Sequence, residues 1–487
     1  MDYDSKMAPY AAEKEKQPDY MGDSSSGYTS AAGISPSAGR LPGDPEVGEV
    51  HGTNRDFLCE KQASGEAKFK RLGWKRLTIV LIVEAIALGA LSLPSAFATL
   101  GMVAGVICSI GMGLIAVYTA YVIGQLKLKF PHISDYAEAG RLMFGRVGFE
   151  IIGAMLMMML VLIVSSHVLT GKIMWATITD NGKGTCSIVF GVVSAILLFL
   201  LAIPPSFAEV AILGYIDFVS IVLAIGITMI ATGVQASQQE GGLAAVNWSA
   251  WPKEGVTLQT AFIAITNIAF AYSFAMCQFS FMDEMHTLTD YKKSIVALGG
   301  IEIGIYTLTG ALIYSFVGVD VESPALLSAG PMISKIAFGV ALPVIIISGS
   351  INTVVLGKTI LGRAFKNSVI RYVNTPKGWM VWLGLNAGIT VLAWVIAEAI
   401  PIFSNLLAIS SSLFISGFSY YLPACMWFLQ IKEGSWRDRK NLGHAIANAV
   451  IFVIGLTILG VGTYSAVKDM IFQFDNHLVS TPFSCGY

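Results

Sequence analysis

Long apolar stretches separated by short polar loops dominate the chain from Leu77 onward. Each stretch is long enough to cross about 30 Å of hydrocarbon as an α-helix, which rises about 1.5 Å per residue. The pattern predicts eleven membrane spans, and a very tight turn at Leu100-Gly101 joins the first two. The predicted spans, numbered 1 to 11 below, cover residues 77–100, 102–126, 149–174, 187–204, 210–233, 259–281, 294–318, 331–356, 379–398, 401–429 and 442–467.

Composition agrees with this pattern. Hydrophobic residues make up 54% of the 487 residues and charged residues only 13%, whereas an ordinary globular chain carries about 25% charged residues. Such a chain cannot build a soluble surface. The sequence therefore predicts an all-α integral membrane protein, with the lipid bilayer as its surroundings.

The N-terminal region differs sharply from the spans. Residues 1–60 are rich in Ser, Gly, Pro and acidic residues, and they predict disorder because they cannot bury enough apolar surface. Basic residues cluster within 61–76, which is typical of a topology signal or of contact with the anionic cytoplasmic leaflet. We expect a disordered tail at 1–76, a membrane domain at 77–467 and a C-terminal tail at 468–487. The polar start predicts no cleaved signal peptide.

Lysine and arginine placement predicts the orientation. With the N-terminus inside, twenty Lys and Arg residues fall on the inner side of the spans and five on the outer side. This bias follows the positive-inside rule. The N-terminus is then cytosolic, and residues 468–487 lie outside.

Two features of the predicted outer face follow from this orientation. The sequon that begins at Asn247 falls in an outer loop and predicts a glycan on that residue. Cys186 and Cys485 are the two cysteines expected on the oxidising side, so we predict that they form a disulfide.

Several function classes receive no support. The net charge of −1 does not favour nucleic-acid binding. No cysteine or histidine spacing indicates a metal site, and no glycine-rich motif indicates a nucleotide cofactor. No nucleophile and base are arranged as in an enzyme, and no pattern suggests the selectivity filter of an ion channel. We expect neither a cofactor nor a catalytic activity.

Span 1 is interrupted near its middle by Gly89, Ser92 and Pro94. Proline lacks a backbone donor and glycine tolerates unusual dihedrals, so the helix is predicted to break there. Broken backbone within a membrane must be buried in protein or line a polar cavity. Its freed amides and carbonyls suit the carboxylate and ammonium of a zwitterion. An ordinary proline kink is the alternative.

Span 6 has no glycine or proline, yet it carries polar residues in an apolar run. They either contribute to a second break or form hydrogen bonds between helices. These polar residues are Thr266, Asn267, Tyr272, Ser273 and Gln278.

The segments EAIALGALSLPSAFATLG and IAFAYSFAMCQFSFMDEM carry a resemblance to a known family. Over residues 74–467 the chain resembles the amino acid/auxin permease family, and within it the fungal neutral amino acid permeases of the methyltryptophan-resistance type. The resemblance implies eleven helices in a LeuT-like five-plus-five inverted repeat plus one helix. It also implies secondary active uptake of amino acids in the plasma membrane.

The resemblance places the substrate at the breaks in spans 1 and 6. These positions carry no charged residue, which favours neutral amino acids, and the aromatic residues leave room for aliphatic and aromatic side chains. The implied substrate-binding residues are Ala87, Leu88, Gly89, Ala90, Leu91 and Ser92 in span 1, and Ala269, Phe270, Ala271, Tyr272 and Ser273 in span 6.

One departure from the family bears on ion coupling. Many members have an asparagine before the break in span 1 that helps to bind sodium, whereas this chain has Val83 and Glu84 there. An acid at this depth can carry a proton, so we expect proton-coupled symport with H⁺ as the coupling ion. A structural hydrogen bond is the alternative role for each buried acid.

Other residues are candidates for the coupling site, because spans 1, 5 and 8 adjoin in the family fold. His167 in span 3 is interpreted as a packed histidine, with proton relay as the alternative. The remaining candidates are Asp217 in span 5, Glu302 in span 7, and Ser348, Ser350, Asn352 and Thr353 in span 8.

Two other functions stay open at this point. An amino acid sensor would bind the same substrates without major flux, and the long N-terminal tail could serve signalling. A vacuolar exporter would share the family fold. Radiolabelled uptake in proteoliposomes and cellular tagging distinguish these alternatives from a plasma-membrane importer.

Overall fold

The computed structural model describes residues 73–485, apart from 181–183, 206, 284, 366–367, 369, 371–372 and 374. Within this range it does not describe the side chains at 76, 80, 83, 84 and 207–212. The predicted disorder of residues 1–60 lies outside the described residues, as does most of the basic cluster. The orientation of the two termini stays a prediction.

The described residues fold into helices joined by short loops. Span 1 is two helices, and span 6 is two α-helices with a 3₁₀ segment at Ser273–Cys277 between them. The helices of spans 1 to 5 are Trp74–Ala85 with Gly89–Leu100, Met102–Lys129, Tyr136–Ile178, Ser187–Leu201 and Phe207–Gln238. The helices of spans 6 to 11 are Leu258–Ala271 with Gln278–Asp283, Tyr291–Val317, Pro331–Ala364, Pro376–Ala399, Phe403–Ile431 and Leu442–Asp475.

Within the described residues, eight helices are long and apolar enough to cross a membrane. The pair in span 6 bends by 43° and makes a ninth if it is counted as one span. Gly89–Leu100 and Ser187–Leu201 are shorter apolar helices at the predicted positions of spans 1 and 4. The all-helical class is confirmed for this part of the chain, whereas the count of eleven stays a prediction.

Several boundaries differ from the predicted ones. The helix of span 3 begins at Tyr136, but Gly145 has φ 68° and ψ −150°, so a kink separates its first turns from the apolar part. Span 11 continues as helix to Asp475, beyond the predicted end at 467. The hydrophobic pattern marks only the apolar portion of a helix, so polar turns at either end are not detected.

The tight turn between spans 1 and 2 is confirmed at Gly101, where φ is 80°. A Cβ atom there would lie 2.5 Å from the main-chain carbon of Trp251, so only glycine fits. The amides of Met102 and Val103 donate to the carbonyls of Ser249 and Ala250 at 2.9 Å each. The loop between spans 5 and 6 is thereby fixed to the start of span 2.

Packing concentrates on spans 1, 3, 6 and 8. Both halves of span 1 pack against span 7, while span 8 packs against spans 3 and 5. Small residues line the closest approaches, for example Gly349 of span 8 against the ring of His167. Small residues at helix interfaces let backbones come close inside a membrane. The breaks of spans 1 and 6 are buried within this packing.

Candidate functional site

The two helix breaks contact each other at the middle of the bundle. The first helix of span 1 ends at Ala85, followed by Ile86 with φ −88° and ψ 67°. The first helix of span 6 ends at Ala271, followed by Tyr272 with φ −94° and ψ 39°. A Cβ atom on Gly89 would lie 2.7 Å from the Cα atom of Ala271, so the contact requires glycine. Both breaks are therefore present and adjacent, but the break in span 1 lies at residues 86–88. Ser92 and Pro94, predicted to interrupt the helix, lie inside the regular helix Gly89–Leu100 that follows it.

A cavity of about 30 Å³ lies beside these breaks. Pockets that hold small ligands are about 300–1,000 Å³, so an amino acid requires the surrounding helices to separate. The cavity is lined by Ala85, Ala87, Leu88, Gly89, Ile163, His167, Phe270, Ser273, Phe274, Met276, Cys277 and Asn352.

Three polar side chains face this mostly apolar cavity. His167 is buried, and its Nδ1 lies 2.9 Å from the carbonyl oxygen of Ile163. A carbonyl only accepts, so Nδ1 carries the proton and Nε2 of the neutral ring is an acceptor. Nε2 of His167 and Oδ1 of Asn352 are buried without a hydrogen-bond partner among the described residues. With the hydroxyl of Ser273, they supply polar contacts for a ligand.

The cavity includes some of the expected substrate residues and not others. Ala87, Leu88, Gly89, Phe270 and Ser273 line it, whereas the others lie in the adjoining helices or face elsewhere. The expected residues that do not line it are Ala90, Leu91, Ser92, Ala269, Ala271 and Tyr272.

For two of these residues, hydrogen bonds explain why the side chain does not line the cavity. The hydroxyl of Ser92 donates to the carbonyl of Gly89 at 2.9 Å, within its own helix. The phenol of Tyr272 lies 3.3 Å from the hydroxyl of Ser109 in span 2. Sequence position alone assigns a whole broken segment to the site, because it cannot tell which side of the segment faces the cavity.

The sequence reasoning missed some lining residues. Ile163 comes from span 3, and Phe274, Met276 and Cys277 come from the 3₁₀ segment of span 6. The extension of the break to Cys277 has no glycine or proline signal in the sequence. His167 and Asn352, which were considered only for proton or cation coupling, face the same cavity as the expected substrate residues.

The coupling candidates occupy three neighbouring regions. Glu84 lies in the last turn of helix Trp74–Ala85, but its side chain is outside the part of the chain that the structure describes. Asp217 and Glu302 are fully buried. One turn beyond Asp217, the hydroxyl of Ser220 donates to the carbonyl of Val340 at 2.5 Å, which joins spans 5 and 8.

The candidates in span 8 are all buried but differ in direction. Asn352 lines the cavity, and its Nδ2 donates to the carbonyl of Ser348 at 3.0 Å. The hydroxyl of Thr353 donates to the carbonyl of Gly349 at 2.9 Å, within its own helix. Ser350 similarly donates to the carbonyl of Ile347 at 2.7 Å. These bonds satisfy the donors and leave hydroxyl oxygens available as acceptors.

Polar contacts close the predicted cytosolic side of the site. Lys127 of span 2 is buried, and its ammonium donates to the carbonyls of Pro131 and Ile133 at 3.0 and 2.5 Å. The same ammonium pairs with the carboxylate of Asp283, the last residue of span 6. Nearby, the phenol of Tyr136 donates to the carbonyl of Phe418 at 2.6 Å. Spans 2, 3, 6 and 10 are thus joined below the breaks.

The predicted outer face carries the glycosylation candidate and the cysteine pair. Asn247 is exposed in the loop before span 6, and its side-chain oxygen accepts from Lys253. The sulfurs of Cys186 and Cys485 are bonded, with Cα atoms 4.5 Å apart. This is the pairing expected from the sequence, and it ties the C-terminal segment to the start of span 4.

Residues 70–468 match the family described as transmembrane amino acid transporter protein. The chain belongs to this transporter family. The match includes both helix breaks and every residue that lines the cavity. The resemblance to amino acid permeases is thereby confirmed, and the family is one of transporters rather than enzymes.

Fungal relatives are similar over nearly the whole chain. The N amino acid transport system protein of Neurospora crassa is 66% identical over 445 residues, which cover 91% of this chain and 95% of that protein. A transmembrane transporter of Gibberella moniliformis is 30% identical over 457 residues, which cover 91% of this chain and 95% of that protein.

Solved transporter structures share the fold. A nucleobase-cation-symport-1 family transporter in a closed conformation with bromovinylhydantoin bound has a TM-score of 0.50 and 14% identity, covering 84% of this chain and 93% of that chain. MhsT in complex with L-phenylalanine also has a TM-score of 0.50 and 14% identity, covering 81% of this chain and 97% of that chain. These similarities support the LeuT-like architecture of the described residues.

Proposed function

We propose that this member of the transporter family imports neutral amino acids by proton-coupled symport across the plasma membrane. The observation that carries the proposal is the uncharged cavity where the breaks of spans 1 and 6 meet. No lysine, arginine, aspartate or glutamate is among its described lining residues. A net-charged side chain would find no counter-charge there, whereas an aliphatic or aromatic one finds apolar contacts.

A zwitterion has suitable partners beside this cavity. Nε2 of His167 and Oδ1 of Asn352 can accept from the α-ammonium of the substrate. The main chain around Ala87, Leu88 and Gly89 supplies polar groups near the start of a helix, where amides favour a carboxylate. The substrate side chain would then lie towards Phe270 and Phe274.

Alternating access follows from the small size of the cavity. At about 30 Å³ it is too small to hold an amino acid without movement of the helices around it. In the proposed cycle, Lys127 and Asp283 separate so that the site opens towards the cytosol. When the site opens to the outside instead, the contacts between helices Gly89–Leu100 and Leu258–Ala271 break. The two openings are exclusive, so the substrate crosses without a continuous pore.

Proton coupling is proposed for Glu84, with Asp217 as the second candidate. Two features support this assignment: the sodium-associated asparagine of the family is missing, and Glu84 lies beside the break in span 1. A bare carboxylate in a closed membrane site is costly, and protonation removes that cost. Ser348, Asn352 and Thr353 are proposed to support the same region from span 8.

The decisive experiment measures radiolabelled leucine and phenylalanine uptake by the full chain in proteoliposomes. An inward pH gradient, acidic outside, should drive accumulation without sodium, and excess lysine or glutamate should not compete. Binding without flux would instead support a sensor. Accumulation that requires sodium would contradict the proton mechanism while leaving the amino acid substrate intact.

The proposed orientation has its own test in a eukaryotic host. Asn247 should carry a glycan, so glycosidase treatment should shift the mobility of the wild type but not of Asn247→Gln. Mass spectrometry of non-reduced protein should recover Cys186 and Cys485 in one cross-linked peptide. An unmodified Asn247 together with two free thiols would contradict the assignment of this face to the outside.

A further inference from the structure

A second cavity lies apart from the helix breaks, between spans 1, 6, 10 and 11 at the predicted outer face. Its volume is about 290 Å³, and it shares no lining residue with the cavity at the breaks. We name it the Asp469 cleft, after the residue of span 11 that lines it. Its size suits a small organic ligand rather than a single enclosed metal ion.

The charge of the Asp469 cleft favours a cation. Asp469 is the one ionisable residue among its described lining residues. Its Oδ2 accepts from Nδ2 of Asn405 at 2.9 Å and from Nε2 of Gln473 at 2.5 Å. Both bonds fall on the same oxygen, so Oδ1 keeps its acceptor capacity for a ligand.

Span 6 contributes a buried amide to the wall of the cleft. Asn267 also lines the cleft, and only 2% of its surface is exposed. Its Oδ1 is buried without a hydrogen-bond partner among the described residues. This oxygen has almost no accessible surface, so the acceptors that a ligand in the cleft can reach are those of Asp469 and of the hydroxyl groups.

The hydroxyl groups of the cleft add further acceptors. Ser95 donates to the carbonyl of Ser92 at 2.9 Å, and Thr99 donates to the carbonyl of Ser95 at 3.1 Å. Ser404 donates to the hydroxyl of Ser323 at 2.9 Å. Each proton is already used, so these oxygens present lone pairs to the cleft. The arrangement suits a group that only donates, and a carboxylate would find few donors.

We propose that the Asp469 cleft binds the primary ammonium group of a small ligand, held by Oδ1 of Asp469 and by the hydroxyl oxygens that line the cleft. An alkylammonium has three donors and one positive charge, which match these acceptors. The ammonium can belong to a free amino acid or to a phosphatidylethanolamine head group. Asn267 lies one turn before Ala271, so the ligand contacts the half-helix that ends at the break in span 6.

The experiment uses the full chain in nanodiscs of phosphatidylcholine and titrates propylammonium chloride by calorimetry. Saturable binding is expected for the wild type and should weaken at least tenfold in Asp469→Asn. Asp475→Asn is the matched control, because it removes an exposed carboxylate from the same helix outside the cleft. Tetramethylammonium has the charge without N–H donors and should bind at least tenfold more weakly than propylammonium.

A second variant keeps the test informative if Asp469→Asn fails to fold. Ser404→Lys retains Asp469 and places a permanent ammonium in the cleft, so it should also abolish propylammonium binding. Wild-type binding by either variant would overturn the proposal. Equal competition by sodium chloride would also overturn it, since that result indicates an alkali-cation site.

The natural source of the ammonium is resolved by competition in the same system. Loss of the binding signal in phosphatidylethanolamine nanodiscs identifies the head group. Competition by free leucine that depends on Asp469 identifies the solute, and both results support the ammonium site. None of these measurements requires transport, so a failure of the proposed symport function does not affect them.

Discussion

The phenol of Tyr306 in span 7 donates a hydrogen bond of 2.7 Å to the carbonyl oxygen of Ala85, where the first helix of span 1 ends. The helix stops there, so this carbonyl cannot be satisfied by the next turn of its own helix. Tyr306 is fully buried, and its ring packs edge-to-face on Tyr272 at 5.1 Å between centroids. One side chain therefore contacts the breaks of both spans.

Tyr306→Phe should weaken substrate binding as well as stability. The change leaves the Ala85 carbonyl without its donor, which costs about 1–3 kcal/mol when the group is buried. We expect a lower melting temperature and a roughly tenfold higher KM for uptake. Ala85 lines the cavity, so the altered carbonyl lies at the proposed binding site.

Tyr314→Phe is the matched control for this change. Tyr314 is a fully buried tyrosine on the same helix. Its phenol accepts from the amide of Ser249 at 2.9 Å, in the loop before span 6 and at neither break. It should lower stability without changing KM. Equal KM values for the two variants would contradict a special role for Tyr306.

Gly89→Ala should abolish uptake through a steric conflict alone. Alanine is the better helix former, so local propensity favours the change. The added Cβ, however, would lie 2.7 Å from the Cα atom of Ala271, and backbone cannot move as a side-chain end can. The two breaks would have to move apart to make room for the added Cβ atom. We therefore expect uptake to fall more than tenfold at equal surface expression.

Gly111→Ala provides the control for Gly89→Ala. A Cβ atom at Gly111 in span 2 meets no atom within 4 Å, so uptake should stay within twofold of the wild type. If both variants transport normally in proteoliposomes, the close contact between the two breaks is not required for transport.

Residue patterns could predict the break in span 1 but not the full extent of the break in span 6. Gly89 directly follows the first break, whereas Pro94 lies within the helix after it, so the sequence signal is displaced by a few residues. In span 6, the helix ends at Ala271 and continues as a 3₁₀ segment without glycine or proline. Gln278, directly after this segment, donates to the carbonyl of Ala120 in span 2 at 2.6 Å, a contact between spans that the sequence does not show. Periodicity identifies apolar helices, and resemblance identified the second break.

Side-chain direction was the other property that the sequence could not supply. His167 appeared as one polar residue in an apolar span, which is typical of a packed histidine. His167 nevertheless lines the cavity, and its Nδ1 is bonded to the carbonyl of Ile163 within the same helix. Asn352 also lines the cavity, and its Nδ2 is bonded to the carbonyl of Ser348 within span 8.

Lys127→Met should open the predicted cytosolic side of the transporter. The change removes a buried cation from the Asp283 carboxylate, whose side chain is 39% exposed, and from two carbonyls, which costs about 1–3 kcal/mol. Only the arrangement closed towards the cytosol loses this energy, so the equilibrium shifts towards the arrangement that is open on that side. A membrane-impermeant maleimide applied from the cytosolic side should therefore label Cys277, which lines the cavity, several-fold faster.

This labelling is measured in a background in which Cys59, Cys108 and Cys425 are replaced by serine. Lys335→Met is the control, because Lys335 forms a partly exposed ion pair with Asp180 at 2.6 Å. Such pairs contribute about 0–1 kcal/mol, so labelling should not change. An unchanged labelling rate in Lys127→Met would show that the buried pair does not hold the inner side closed.

Glu84 is expected to carry the coupling proton. Glu84 is one residue before Ala85, whose carbonyl Tyr306 holds, so a change in the charge of Glu84 acts at the break itself. Glu84→Gln mimics the protonated acid permanently. It should fold, bind substrate and exchange it, but lose accumulation driven by an inward pH gradient. Glu84→Asp keeps a titratable group and should retain part of that accumulation.

Exchange and gradient-driven uptake are measured in the same proteoliposomes, so each variant provides its own folding control. Asp217→Asn and Glu302→Gln are compared in parallel, since both acids are buried in neighbouring spans. Wild-type accumulation by Glu84→Gln, together with its loss in Asp217→Asn, would move the proton to span 5. Loss only in Glu302→Gln would move it to span 7, one turn from Tyr306 and its bond to the break.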